Sequence, residues 1–436
     1  MSDPIGSPSN ETPTSNTPSG WLWVPTLYFA ESVPNAVVSD TAKFLYNDLG
    51  LSAIDLSLVT GSMYLPWVLK PLWGPFVDLV KTKRWWIVCT QLVLALCFMG
   101  LAAAIQTPNW LNWTAAALWL MAFTSATHDI AADGFYMLGL NESDQAAFTG
   151  VRATAYRLAM LCAKGVLVAL AGRLTFSMGK VQGWSTVMCI PAAVYVCFAL
   201  YHLFFLPRPD RDRAASADNI MKGYVESFTT FFSKPNIGMA IAFMLLFRFA
   251  EAQLLAMVAP FLTNGRELGG LGLSTQEVGI AYGTFGVMGI ICGGILAGLL
   301  VARMGLRFLY WKLIVIMHIP NLAFLYLAFA QPDNPIFIRA CLFIEQFGYG
   351  FGFTAYMLYL MYFSRGIQQT SHYAICTGFM ALSLMIPQMF SGYVKTQLGF
   401  QGFFVYIMVA TLPSFWVAWM AWRDQNFIDY FPPSRQ

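Results

Sequence analysis

Hydrophobic residues fall in long blocks along this chain, separated by short polar turns. About 20 apolar residues are needed to cross a bilayer, and the blocks predict twelve such helices. They lie at about 20–45, 56–79, 85–106, 111–138, 147–173, 184–206, 236–264, 276–301, 308–330, 335–363, 371–395 and 401–422. Several exceed 20 residues, as tilted or kinked helices do. Pro34, Pro66, Pro71, Pro75, Pro260 and Pro387 sit inside them. Membrane helices tolerate proline when neighbouring helices satisfy the freed backbone groups.

The longest polar break, 207–235, falls at the midpoint of the chain and ends in an amphipathic run, VESFTTFFSKPN, suited to a membrane surface. Six helices, a linker and six more helices is the layout of transporters built from two related halves. The predicted fold class is all-α integral membrane, with twelve transmembrane helices in two six-helix bundles. The predicted organisation is a disordered N-terminal tail over 1–19, a first bundle over 20–206, a cytoplasmic linker over 207–235, a second bundle over 236–423 and a cytoplasmic tail over 424–436. A faint repeat agrees: Gly74 and Lys83 follow the second predicted helix with the same spacing as Gly298 and Arg307 after the eighth.

Composition narrows the class. Charged residues make up 11% of the chain and hydrophobic residues 57%, against about 25% charged in soluble domains. The first 19 residues are rich in Pro, Ser, Thr and Asn, with no apolar core of a signal peptide. All eight cysteines lie in apolar segments without metal-ligand spacing and read as small buried hydrophobes. Basic residues form no patch that would suit nucleic acid. They do sort by side. With both termini cytoplasmic, the inner side holds Lys81, Lys83, Arg84, Arg208, Arg211, Arg213, Lys222, Lys234, Arg303, Arg307, Lys312, Arg365, Arg423 and Arg435. The outer side holds Lys43, Arg173, Lys180, Arg266 and Lys395, and this bias sets the orientation.

The candidate chemistry lies in charges placed where lipid would forbid them. A charge at mid-bilayer costs roughly 3 kcal/mol on insertion scales, so it faces a protein interior and usually works. Asp129 and Asp133 are one turn apart on one helix face. Two acids so close resist ionising together unless a cation intervenes. They read as a proton carrier with Arg152 or Arg157 as the switchable partner, or as a structural ion pair. Lys70, between Pro66 and Pro71 and flanked by Trp67 and Trp73, would contact an anionic substrate or pair with Glu31. Tyr28, Glu31 and Asn35 share a face suited to a polar cavity. Arg248 and Glu251 are spaced to pair, with Gln253 following. Glu345, Gln346 and Tyr349 precede a GYGFGF run whose glycines permit either hinge bending or close packing. His128 and Asp133 match an H-x-x-x-x-D acyltransferase spacing, read here as chance inside an apolar helix.

Several strings carry a family resemblance: YLPWVLKPLWGPFVDLVKTKRWW at 64–86, SATHDIAADGFYM at 125–137, VRATAYRLAML at 151–161, FRFAEAQLLAMVAPFL at 247–262 and GLSTQEVG at 272–279. With the twelve-helix layout they resemble the major facilitator superfamily, and within it the anhydromuropeptide-permease (AmpG-type) and acetyl-CoA-transporter branch. The resemblance implies import of cell-wall amino-sugar fragments, or carriage of acetyl-CoA or siderophores, usually driven by protons. It also implies a conformational latch at Asp78, Lys83 and Arg84. Where that family often has Lys and Asp in the seventh helix, this chain has Arg248 and Glu251.

The leading function is a proton-coupled secondary transporter importing a polar, anionic amino-sugar or muropeptide-like solute across the bacterial inner membrane. Asp129, Asp133 and Glu31 would couple protons. Lys70, Arg152, Arg157, Tyr28, Asn35, Trp67, Arg248, Glu251, Gln253, Glu345, Gln346 and Tyr349 would line the substrate path. The alternatives are another anionic cargo, such as a siderophore or acetyl-CoA, or a membrane-embedded acyltransferase. No G-x-x-x-x-G-K-[ST] loop is present to bind ATP. The expectation is a monomeric carrier, not an enzyme, whose partners are a small solute, protons and the bilayer, with no cofactor and no nucleic acid.

Overall fold

The computed structural model describes residues 19–140, 142–209, 212, 217–366 and 368–433, so the predicted tail over 1–19, apart from Ser19, lies outside the described residues. Among the described residues there is no β-strand, and the chain runs as twelve helical rods. The first half comprises α1 (20–48), α2 (53–79), α3 (Lys83–Ala104), α4 (Trp110–Gly139), α5 (142–178) and α6 (Lys180–Phe205). The second comprises α7 (Ile237–Thr263), α8 (Thr275–Met304), α9 (Leu306–Ala330), α10 (Pro335–Phe363), α11 (369–398) and α12 (400–422).

Local chemistry sets the helix starts. Ser52 accepts from the Asp55 amide at 3.1 Å to begin α2, and Thr82 from the Trp85 amide at 3.1 Å to begin α3. Ser274 and Glu277 form a reciprocal capping box at the start of α8. At the joint from α5 to α6 stands Gly179 with φ +84°, and from α11 to α12 Gly399 with φ +65°. A residue without Cβ takes this left-handed conformation at little cost. Its use at the same joint of both halves marks an internal duplication more firmly than the Gly74/Gly298 spacing does.

Eight stretches are long and apolar enough to cross a membrane, one of them folding as both α11 and α12. The three rods outside that set are α1, α2 and α4. They are the rods that carry Glu31, Lys70, Asp129 and Asp133, so polarity is concentrated on the helices that build the site.

Within the first half α3 packs on α4 and α6, and α1 on α5. Within the second, α10 packs on α8 and α9. The halves meet along two seams, α5 against α8 and α2 against α11. The even number of rods puts the start of α1 and the close of α12 at one end, the terminal end; the opposite end is the far end. The far end is sealed. A Cβ on Gly172 would fall 2.1 Å from the Gln276 nitrogen, and one on Gly392 would fall 2.0 Å from the Ala53 carbonyl oxygen. Asp48 accepts from the Thr275 hydroxyl at 2.7 Å, and Asn47 donates to the Thr263 hydroxyl at 2.5 Å, both across the halves.

The predicted linker holds a helix, Ala217–Phe232, whose Phe231 is buried against Phe363 and Phe379. The predicted C-terminal tail likewise folds back. Its helix Gln425–Asp429 buries Phe427 against Tyr310, Tyr359 and Tyr362. Lys43, counted above among outer-side cations, sits inside α1 at 2% exposure.

Candidate functional site

Five charged side chains from four rods of the first half converge. Lys70 of α2 donates to Asp129 of α4. Arg152 of α5 donates to Asp133 of α4 at 2.5 Å, and the Tyr28 hydroxyl of α1 donates to the same oxygen at 3.0 Å. The Arg152 guanidinium is wedged over the rings of Tyr28 and Tyr136, at 4.1 and 4.5 Å. Glu31 of α1 completes the group: carboxylate oxygens of Glu31, Asp129 and Asp133 all lie within 4.8 Å of one another. Glu31 Oε2 is buried and meets no donor. Three carboxyls face two cations, so one negative charge is left over. The trio is spaced to ligate a metal ion, but Lys70 and Arg152 already bring positive charge onto two of its members.

This arrangement chooses among the expectations. Lys70 pairs with Asp129 and not with Glu31, and of Arg152 and Arg157 it is Arg152 that reaches the carboxyls. Asp133 and Arg152 keep 40% and 33% of their side chains exposed, although they sit inside the bundle. With the far end closed, the site is open toward the terminal end. Asn35 and Trp67 are half-buried, and Trp67 packs on Tyr64.

Across the halves, Arg248 of α7 donates to the Tyr349 hydroxyl of α10 and lies over the Phe353 ring at 4.7 Å. It makes no ion pair with Glu251, against the expectation from their spacing. Arg248 stands at a break between Ile237–Leu246 and Phe249–Thr263, with φ −106° and ψ 16°, which takes the two side chains out of helical register. Glu251 and Glu345 are fully buried, and Gln346 donates to Glu345 at 2.7 Å. Gln253 turns back to its own backbone, to the Phe249 carbonyl at 3.4 Å, and is buried. The GYGFGF glycines serve close packing. A Cβ on Gly348, Gly350 or Gly352 would lie 2.5, 2.3 or 2.2 Å from atoms of α8 or α9.

A third group escaped the sequence reading. Asp40 of α1 lies 3.3 Å from Lys164 of α5 and 3.8 Å from Lys43, and Lys164 lies over the Tyr282 ring of α8 at 5.1 Å. Asp40, Lys164 and Tyr282 each sit in a π-helical turn, Val37–Thr41, Leu161–Leu167 and Gly279–Gly286. Such turns recur at functional sites. The available signal was a pair of charges, Asp40 and Lys43, inside the first apolar block.

Two six-helix halves around a charged, one-sided cavity is a carrier architecture, and the chain matches the model of the Major Facilitator Superfamily over residues 26–370. The chain belongs to the major facilitator superfamily. It is 24% identical over 397 residues to the anhydromuropeptide permease of Escherichia coli (strain K12), covering 89% of this chain and 76% of that one. Solved structures share the fold. A bacterial homolog of the human lysosomal transporter Spinster, inward-facing and unoccupied, superposes with a TM-score of 0.70 at 16% identity, covering 95% of this chain and 98% of that one. A D-xylose–proton symporter does so with a TM-score of 0.70 at 14% identity and the same coverage, 95% and 98%. This superfamily member is an integral membrane transporter and not an enzyme.

The superfamily frame sorts the remaining residues. Arg157 leaves the carboxyl cluster altogether. It donates to the Ile291 carbonyl of α8 at 3.1 Å and so ties the α5–α8 seam between the halves. His128 faces away from the site into the first half. The Gln91 amide nitrogen lies 3.0 Å from His128 Nε2 and 2.9 Å from His202 Nδ1, and His202 Nε2 lies 3.1 Å from the Thr26 hydroxyl. Thr26 donates onward to the Trp23 carbonyl at 3.1 Å. That direction makes Thr26 an acceptor from His202 Nε2–H, leaving Nδ1 to accept from Gln91. The network is a neutral polar lock joining α1, α3, α4 and α6.

At the predicted latch, the Asp78 side chain lies outside the described residues. The Lys83 and Arg84 amides, at the N-terminus of α3, donate to Asp212 at 2.7 and 3.1 Å. The Arg84 side chain donates to the carbonyls of Leu203 and Leu206. Arg307, the counterpart of Lys83 in the repeat, is held by Asp429 at 2.8 and 2.9 Å. Each acid follows the last rod of its half by the same distance: Asp212 after Phe205 and Asp429 after Trp422. The duplicated element therefore includes an acidic hook that reaches back to the turn between its second and third helices.

Proposed function

We propose that this superfamily member is a proton-coupled importer of a polar, anionic amino-sugar or muropeptide-like solute, working by alternating access. The observation that carries the reading is the charge count at Glu31, Asp129 and Asp133 against Lys70 and Arg152. A leftover negative charge in a low-dielectric interior is costly, and one proton removes it. A solute carboxylate can then take over Lys70 or Arg152. That exchange frees an aspartate for a proton, so binding of anion and proton favour each other. Tyr28 and Tyr136 hold Arg152 in place while its partner changes.

Alternating access follows from the seams. Opening the far end separates α5 from α8 and α2 from α11 and breaks the Asp48–Thr275 and Asn47–Thr263 bonds. With both termini cytoplasmic, as the distribution of basic residues supports, the described state opens inward and the far end faces the periplasm. The similarity to an anhydromuropeptide permease supports an amino-sugar cargo, and the aromatic lining suits a sugar ring.

The test is uptake of a labelled anhydromuropeptide into proteoliposomes under an imposed proton gradient. Accumulation that collapses with a protonophore is expected. Uptake indifferent to the gradient would overturn proton coupling, and no uptake of the muropeptide above protein-free liposomes would overturn the cargo.

A further inference from the structure

Glu251 of α7 and Glu345 of α10 are 0% and 1% exposed, and among the described residues neither has an ion-pair partner within 4.0 Å. Each lies within electrostatic reach of the other. Neither oxygen of Glu251 completes a hydrogen bond, nor does Glu345 Oε1. Around them are further unmatched polar atoms. Asn321 of α9 lies beside Glu251, yet neither of its amide atoms is satisfied. The Tyr282 hydroxyl of α8, within reach of both acids, is unsatisfied too.

The surrounding charges do not balance this pair. From α7 itself Arg248, whose hydrogen bond goes to the neutral Tyr349 hydroxyl, sets one positive charge against the two carboxyls, and from α5 Lys164 is paired with Asp40 at 3.3 Å. Gln346, beside Glu345 on α10, is neutral. His318 on α9 packs its ring against Phe247 and Phe415. Water could satisfy the lone pairs, but it could not remove the one negative charge that Arg248 leaves uncompensated.

We propose that Glu251 and Glu345, with Asn321 and Tyr282, form a second coupling-ion site that holds one small monovalent cation, either a proton shared by the carboxyls or Na+. This site is distinct from the first-half cluster and does not depend on it. It lies on the α7–α10 side, where Tyr282 of α8 links it to the π-helical turn facing Lys164. Opening of the α5–α8 seam would therefore change its surroundings, which ties ion occupancy to the transport cycle.

The test uses the purified full chain. Thermal unfolding is followed from pH 5 to 8.5, and with NaCl against KCl and choline chloride at constant ionic strength. Binding to the folded state raises the melting temperature as the ligand is added. The expected result is a rise of several degrees on acidification or with Na+ specifically, markedly reduced in both Glu251→Gln and Glu345→Gln, the remaining acid response being that of the first-half cluster. A response unchanged in the two glutamine variants, or absent from the wild type, overturns the proposal. Should a variant fail to fold, carbodiimide labelling of the wild type replaces it. Labelling of Glu251 or Glu345 indicates a protonated carboxyl, and protection by NaCl assigns Na+. No labelling and no protection across the pH range overturns the site.

Discussion

Lys70 of α2 is bonded to Asp129 of α4, and Glu31 of α1 stands beside that pair with one carboxylate oxygen that no donor reaches. Of these rods α2 packs on α11 across one seam, while α1 and α4 pack on α5, the rod that forms the other seam with α8. A change of charge at Lys70–Asp129 is thus felt by helices that must move when the halves rock.

Asp129→Asn or Asp133→Asn should abolish gradient-driven accumulation while leaving solute exchange. Removing one carboxyl restores charge balance without a proton, so the carrier cycles uncoupled. Uptake in proteoliposomes with and without a proton gradient measures this, and normal pumping by both variants would remove the proton role from this pair.

Lys70→Ala should weaken an anionic solute by roughly tenfold or more, the scale of one lost charge-assisted hydrogen bond. A neutral analogue should lose much less. Competition binding with matched anionic and neutral amino sugars reads the difference, and equal losses would make Lys70 structural.

Gly172→Val should hold the far end open, because even a Cβ at this position would lie 2.1 Å from the Gln276 backbone nitrogen. Spin labels at Ser177→Cys and Leu268→Cys, in a background lacking the eight native cysteines, should report a longer far-end distance than in wild type. An unchanged distance distribution would show that the seam is not what closes that end.

Gln91→Leu should lower the melting temperature by several degrees. It leaves the ring nitrogens of His128 and His202 buried without their partner, at roughly 1–3 kcal/mol each. The pH profile of transport should keep its shape. A displaced profile would mean that this network takes part in proton movement.

The Arg307–Asp429 hook gives a pH dependence outside the membrane. The Arg307 hydrogen bond holds the Asp429 carboxyl below its usual value. A depressed folded value means that docking of the C-terminal helix is fully supported above the ordinary aspartate range, near 4, and is lost as pH falls through the folded value. Limited proteolysis of the C-terminal segment should be flat from neutral pH to about 5 and rise below 4. Asp429→Asn should be cleaved faster at neutral pH, with little change on acidification.

The block pattern of apolar residues was enough for twelve helices and two halves, because a bilayer imposes one length and one polarity on every span. The same rule exposed Glu31, Lys70, Asp129, Asp133, Arg152, Arg248, Glu251 and Glu345, since charge in an apolar block stands out wherever it faces. Direction did not stand out. Arg152 and Arg157 share one helix and one chemistry, yet Arg152 reaches Asp133 and Arg157 caps a carbonyl across the seam. Arg248 and Glu251 have pairing spacing, but a break in α7 parts them. Asp40, Lys164 and Tyr282 meet through three π-helical turns, whose extra residue rotates the side chains that follow. Asp212 and Asp429 gain meaning only when each half folds back on itself. Length and polarity are properties of a segment, read directly from its residues. Which charge neutralises which depends on rods distant in sequence, and packing alone decides it.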